Sequence, residues 1–354
     1  MNKRIIIHIG FPRCGSTLLQ REIFPRLEGD VRVVSPACKD RRLIDFLNGR
    51  FVMSGRNIDM APVTDAEKKH VADVIAEYPE STVLVSNEGL VGDSFDNMLP
   101  LPHLAGALRA LFEEPEILVV IRRQSDIVRS YYRYALEEGF YKSFPAFLGY
   151  RDGRFAGFRL QRYAGINVDP TALNFHSFVS CLQITFGAGK IHVLPFEWIK
   201  SDFGRFRDML AQVLGARLQM ADSLPPPVNS GVHGADFFLL RGLNRLWATR
   251  LLGFPLLPRQ PLFDYFDNRC RDGSVTMRVL RAISARVSPT GVLNVLSPVI
   301  APLLNPLLSA LGAKGLRSEQ PIAQAIDRAV FESNAALNEK LGGRLSGLGY
   351  CDRQ

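Results

Sequence analysis

Cysteine is scarce in this chain and follows no regular spacing. The five residues, Cys14, Cys38, Cys181, Cys270 and Cys351, are odd in number and include no Cys-x-x-Cys pair. That pattern excludes a disulfide framework and a Cys-rich zinc site. Reduced thiols and a cytoplasmic location are expected instead. No His/Cys/Asp cluster has metal-ligand spacing, so no metal is expected. No internal repeat or low-complexity tract interrupts the 354 residues. The opening MNKRIIIHIGF has a basic start but only a brief apolar run and no small-residue cleavage site. It is expected to be a first strand, with no signal peptide. Acidic residues are in deficit, 35 Asp and Glu against 43 Lys and Arg, for a net charge of +8. Such an excess suits an anionic nucleotide, an acidic glycan or a membrane surface. The basic residues are scattered and match no nucleic-acid module, so no nucleic-acid partner is expected.

Charge is also missing from 287–313, VSPTGVLNVLSPVIAPLLNPLLSALGA. The length would span a bilayer, but Pro289, Pro298, Pro302 and Pro306 remove backbone donors and argue against a stable transmembrane helix. Two readings stay open: a buried cap on the core, or an apolar lip toward a lipid-linked acceptor or the inner face of the membrane, flanked by Lys314 and Arg317. What the chain does have is a globular balance, 47% hydrophobic and 22% charged, enough for a sizeable core. Apolar runs alternate with amphipathic stretches. Strands are expected at 4–9, 31–34, 82–86, 116–121 and 190–194. Helices are expected at 15–25, 39–48, 65–77, 103–112, 124–138, 171–186 and 203–214. The last but one opens on Asp169-Pro170-Thr171 and sets Phe175, Phe178, Val179, Leu182 and Phe186 on one face. This alternation predicts an α/β fold with a central parallel sheet covered on both sides and ligands beyond the carboxyl ends of its strands.

Two motifs fall at such ends. In RIIIHIGFPRCGSTLLQ a β-branched run breaks into a glycine loop and then a helical stretch. That arrangement aims backbone N–H groups and a helix N-terminus at an anion. A nucleotide triphosphate loop needs Lys directly after its second Gly. Here Ser16 and Thr17 follow Gly15, and the loop cation is Arg13. Downstream, Arg122 ends the apolar run Ile117–Ile121, and Ser130 lies two helical turns further on. Arg presents a planar fork to phosphate oxygens and Ser a neutral donor. Two anion sites on one α/β scaffold suit a nucleotide phosphorylated at both ends.

Pro12-Arg13-Cys14-Gly15-Ser16-Thr17 and the run Arg122 to Tyr132, with Asp126 and Ser130 in register, resemble the two donor motifs of sulfotransferases that use 3′-phosphoadenosine 5′-phosphosulfate (PAPS). KIHVLPFEWIKSDFGRFRDMLAQVLG is similar to the strand, acidic turn and helix that close the sheet in bacterial and glycan-type members, and Val228-Asn229-Ser230 to a short segment after them. The resemblance covers residues 1–215. It implies a three-layer, P-loop-like core over 1–220 and a mostly helical extension over 221–354, packed on that core. It implies that residues 13–17 (Arg13, Cys14, Gly15, Ser16, Thr17) hold the 5′-phosphate and that Arg122 and Ser130 clamp the 3′-phosphate. Arg13 stands where many members have Lys, so it would act by charge stabilisation alone. Glu88, directly after the strand Val83-Leu84-Val85, takes the base position that glycan-type members fill with Glu; partial burial should raise its pKa. His103 is the runner-up. Cys14 reads as a loop filler and His8 as a satisfied core histidine.

The implied reaction is in-line sulfuryl transfer from PAPS, with 3′,5′-adenosine bisphosphate as product and no metal. The implied acceptor is a hydroxyl on a bacterial cell-surface saccharide or glycolipid. The role of 230–290 stays open between acceptor binding and packing. Two other classes stay open as well: a nucleotide or sugar kinase with an aberrant loop, and a non-catalytic module for anionic glycan or membrane.

Overall fold

The structure is a computed structural model. It describes residues 3–51, 61–91, 101–137, 140–156, 160–161, 165–166, 168–220, 235–246, 302 and 319–352. Cys270, Lys314, Arg317, the Val228-Asn229-Ser230 segment, 230–290 apart from 235–246, and the uncharged tract apart from Pro302 lie outside the described residues.

Five strands form one parallel sheet: β1 (Arg4–Gly10), β2 (Val31–Val34), β3 (Thr82–Ser86), β4 (Glu116–Ile121) and β5 (Ile191–Pro195). Their order is β5-β4-β1-β3-β2, and every neighbouring pair is parallel. The five strands expected from sequence are these five, each within a residue at its ends. The connecting helices are α1 (Arg42–Phe51), α2 (Asp65–Ala76), α3 (Leu101–Phe112), α4 (Gln124–Glu137), α5 (Phe175–Phe186) and α6 (Phe203–Leu214). Further on come α7 (Ala235–Leu246), α8 (Gln320–Ala329) and α9 (Phe331–Lys340). The α/β class with a parallel sheet between helices holds.

Both sheet faces are covered, which is why the strands read as unbroken apolar runs rather than alternating ones. On one face Ile6, Leu84, Leu118, Val120 and Leu194 pack with Leu19, Ile23, Phe24 and the Phe206, Leu210 and Leu214 stripe of α6. On the other, α5 packs on β4 and β5 and against α3. Burying each such side chain contributes about 1.5–3 kcal/mol. Local signals set several helix ends. Thr64 and Glu67 form a reciprocal capping box on α2. Asp202 caps α6, which stops at left-handed Gly215.

Three expected helices are corrected. The one expected at 39–48 runs from Arg42 to Phe51. The stretch 15–25 is α-helical only over Ser16–Leu18; Leu19–Ile23 is π-helical and Phe24–Arg26 a 3-10 turn. Pro25 has no N–H to continue the ladder. Across this switch Leu19, Ile23 and Phe24 all pack against the sheet. The helix expected from residue 171 starts at Phe175 instead. Pro170–Ala172 makes a single 3-10 turn, and the Asn174 side chain accepts from the Ser177 N–H at 2.9 Å as the N-cap. The apolar face proposed for this helix is buried as expected.

By contacts the chain divides into two units, each assembled from separate segments. The first comprises Met1–Ile127, Thr171–Val228 and Asp327–Gln354, and the second Val128–Pro170 and Asn229–Ile326. The parallel sheet belongs to the first. Within the second, Tyr132, Phe140, Phe144 and Phe147 form an aromatic cluster. There Asn244 Nδ2 donates to the Leu136 and Phe140 carbonyls, capping the end of α4.

Candidate functional site

The C-terminal end of β1 runs into the glycine loop. Phe11 anchors it, buried edge-on against Phe175 and Phe178 at 4.9 and 4.6 Å between ring centres. The Cys14 N–H turns back to the Phe11 carbonyl at 3.2 Å. Arg13 and Gly15 both have positive φ, 68° and 85°. Glycine at 15 is required twice over, because a Cβ there would also lie 2.5 Å from the Phe196 ring. A Cβ on Gly10 would sit 2.5 Å from Ser16 Oγ and 3.2 Å from the His8 ring, so glycine leaves both side chains room. The chain then turns helical at Ser16, with Thr17 partly buried.

Arg122 reaches this loop from the end of β4. Its Nη1 donates to the Arg13 carbonyl at 2.9 Å, and its guanidinium lies 4.9 Å above the Phe196 ring. Sheet register produces the encounter. Leu194 pairs with Val120 and Pro195 with Ile121, and the Phe196 N–H donates to the Ile121 carbonyl, so Phe196 and Arg122 leave the sheet side by side. The glycine loop and Arg122, the first residue of the second motif, are therefore brought together. Ser130 lies eight residues on, within α4.

Glu197, next along from Phe196, is the functional candidate that sequence reasoning missed. Its Oε1 accepts the Arg123 N–H at 2.9 Å and its Oε2 the Tyr350 hydroxyl at 2.6 Å. Burial raises its pKa above the ordinary carboxylate value, while the bonds from Arg123 N–H and Tyr350 oppose that shift. Burial, then the neighbouring carboxylate, holds the Tyr350 phenol well above its usual value. The proton of the pair accordingly stays on Tyr350. Glu197 appeared in the sequence only as the acidic turn of a likeness. Tyr350 follows a Gly-rich stretch with no motif, so no local signal would have found it.

Cys14 is wholly buried among these groups. Burial lifts its pKa well above the ordinary thiol value; Glu197 and Glu88 add to the shift and Arg122 opposes it. A neutral thiol fits packing rather than nucleophilic attack. The turn that begins at Glu88 packs against β1, the strand that leads into the loop. The partial burial expected of Glu88 is not found: Glu88 is exposed. Asn87 is the residue that turns inward. Its N–H donates to the His8 carbonyl, its Nδ2 to Asn48 Oδ1, and its Oδ1 accepts the Gly89 N–H, which throws Glu88 outward into the 3-10 turn Glu88–Val91. His103 opens α3, with Nε2 buried and unpartnered among the described residues. His8 is also corrected: it is fully buried but not satisfied, since its Nε2 has no partner among the described residues.

No protein-family model matches the chain, and no curated protein matches it. Among solved structures, a sulfotransferase from Alicyclobacillus acidocaldarius is similar at 16% identity with a TM-score of 0.43, over 65% of this chain and 88% of that one. A likeness so distant carries no argument about chemistry. The class rests on the chain's own sheet: an α/β protein with a glycine loop at the carboxyl end of its central strand. Among the described residues, no helix is long and apolar enough to cross a membrane.

Proposed function

We propose that this chain is a sulfotransferase that moves a sulfuryl group from PAPS to a hydroxyl acceptor. The observation that supports this reading is the hydrogen bond from Arg122 to the Arg13 carbonyl, which sets this arginine beside the glycine loop at one edge of the sheet. Backbone N–H groups of the 13–17 turn, apart from that of Cys14, which is held by the Phe11 carbonyl, and the Ser16 and Thr17 hydroxyls hold the 5′-phosphate. Cys14 shapes that turn from within. Arg122 takes the 3′-phosphate, with Ser130 as the hydroxyl partner that the motif assigns. The acceptor oxygen attacks sulfur in line as the bond from sulfur to the bridging oxygen breaks, and Arg13 stabilises the charge left on that oxygen. Glu88 takes the acceptor's proton. Its exposure suits an acceptor arriving from solvent, such as a saccharide or glycolipid hydroxyl of a bacterial cell surface, reached from the cytoplasmic side. The product is 3′,5′-adenosine bisphosphate, and no step calls on a metal.

The test is thermal stabilisation of the full chain by 3′,5′-adenosine bisphosphate, compared with AMP, ADP and ATP with and without magnesium. A ligand at a hundred times its Kd adds about 2.7 kcal/mol, well within reach of a melting curve. A metal-independent shift with the bisphosphate, lost in Arg122→Ala, supports the reading. Preference for ATP with magnesium would replace it with a kinase. No shift with any nucleotide would favour a module that binds anionic surfaces. Once an acceptor is in hand, Glu88→Gln should lower turnover more than tenfold; a smaller loss removes Glu88 from the base role.

A further inference from the structure

Beneath the glycine loop, a short polar chain interrupts an otherwise apolar interface between the sheet and the segment that follows β1. Gln20 Nε2 donates to Ser86 Oγ at 3.0 Å, and Ser86 Oγ pairs with His8 Nδ1 at 2.8 Å. His8 and Ser86 are directly opposed on β1 and β3, so sheet register fixes their contact. Phe24 meets the imidazole edge-on at 5.6 Å. Ser86 Oγ accepts from Gln20 and has one proton of its own to give. Giving it to His8 Nδ1 makes that nitrogen the acceptor and leaves the ring proton on Nε2. Burial keeps the ring neutral, with a pKa lowered to about 4.

The chain ends in a gap. His8 Nε2 and Ser16 Oγ are both buried, and neither has a hydrogen-bond partner among the described residues. They border the same small space over Gly10, where a Cβ would lie 2.5 Å from Ser16 Oγ and 3.4 Å from His8 Nε2. Buried polar atoms are almost always paired, and leaving one unpaired costs about 1–3 kcal/mol. Two of them border this one space, one a ring nitrogen and the other a hydroxyl, a complementary donor and acceptor.

We infer that His8 is a positioning residue for the anion loop: its Nε2–H, set by Ser86 and Gln20, donates to Ser16 Oγ and so turns the Ser16 proton toward the anion held above it. This inference rests on the reading of the loop as a 5′-phosphate site. A hydroxyl that accepts from behind has its proton free to be given forward. Ser16 then becomes a committed donor at the moment a phosphate oxygen arrives, and no charged group is needed beneath the loop. Glycine at position 10 is what leaves room for the exchange.

The experiment has two arms on the full chain. In the first, calorimetry measures the Kd of 3′,5′-adenosine bisphosphate for wild type, His8→Leu, His8→Gln, Ser16→Ala and the double variant His8→Leu with Ser16→Ala, each checked for folding by circular dichroism. His8→Leu should weaken binding about tenfold, a single hydrogen bond's worth of about 1.4 kcal/mol. His8→Gln, which keeps an N–H donor, should recover most of that loss. In the Ser16→Ala background, His8→Leu should cost nothing further. Additive losses, or no rescue by Gln, would overturn the inference. The second arm needs no ligand. Long-range proton–nitrogen spectra of labelled protein at neutral pH should show His8 as the Nε2–H tautomer, with that preference lost in Ser86→Ala. A resident Nδ1–H tautomer would overturn the inference on its own. Failure of wild type to bind the bisphosphate sinks the nucleotide reading, and the tautomer then decides the histidine's role independently.

Discussion

Arg122 Nη1 donates to the backbone carbonyl of Arg13 across 2.9 Å, joining residues 109 positions apart. Neither partner could be tied to the other from its own neighbourhood. The meeting follows from β1 and β4 lying side by side in the sheet, and from β5 placing Phe196 under the guanidinium. The loop is thereby closed by the ends of three strands.

The flat face of Arg122 matters as much as its charge. Arg122→Lys keeps one positive charge but loses both the stacking over Phe196 and the fork geometry. Its affinity for 3′,5′-adenosine bisphosphate should fall about tenfold, while binding of AMP, which lacks the 3′-phosphate, should change little. Calorimetry on both ligands separates the cases. An equal loss for AMP would move Arg122 away from the 3′ end.

Gly15→Ala should destabilise the fold by about 1–3 kcal/mol, because the backbone there has φ 85° and the new methyl would sit 2.5 Å from Phe196. Urea unfolding measures the loss. Adding Phe196→Ala should recover only the part due to the clash, since the backbone strain remains. Full recovery would show that φ is not a constraint.

Removing the Tyr350 hydroxyl leaves Glu197 Oε2 buried without its donor. Tyr350→Phe should cost about 1–3 kcal/mol at neutral pH. The sign of its pH dependence follows from the raised pKa of Glu197. Glu197's contribution to stability is fully present below its unfolded pKa and is lost as pH rises through the folded one. Loss of the hydroxyl lifts the folded value further, so the cost should be larger at pH 8 than at pH 4. A cost independent of pH in urea titrations would mean that the pair is not coupled.

His8 predicts the opposite slope. Its folded pKa is depressed to about 4 from an unfolded value near 6.5, so the unfolded chain binds a proton that the folded chain refuses. Stability from this residue is complete above pH 6.5 and is lost as pH falls toward 4, by about 3 kcal/mol. Relative to His8→Gln, wild type should weaken over that window. Parallel curves for the two proteins would show that the ring is protonated in the fold.

Much of the architecture was legible. The runs Ile5–Ile9, Val83–Val85 and Ile117–Ile121 announce strands because strands buried on both faces need apolar side chains at every position. Helix starts were less secure. Asp169-Pro170-Thr171 has the composition of an N-terminus, yet Asn174 holds that place, because its side chain is the one that reaches the Ser177 N–H. Glu88 lies just past the end of its strand, as expected, but not at the expected depth, since only the hydrogen bonds of Asn87 decide which of two adjacent polar residues faces inward.

The sequence by itself determined the parallel α/β class, the glycine loop after the first strand and the arginine after the fourth, because local periodicity and turn chemistry encode strands and their ends. Only the tertiary structure decided which groups share the site. Tyr350 meets Glu197 from 153 residues away, and His8 lies under Ser16 with its outer nitrogen unpaired. Pairings of that kind depend on strand order and register, and a buried polar atom's partner is set by what packing brings to it, whatever stands beside it in the chain.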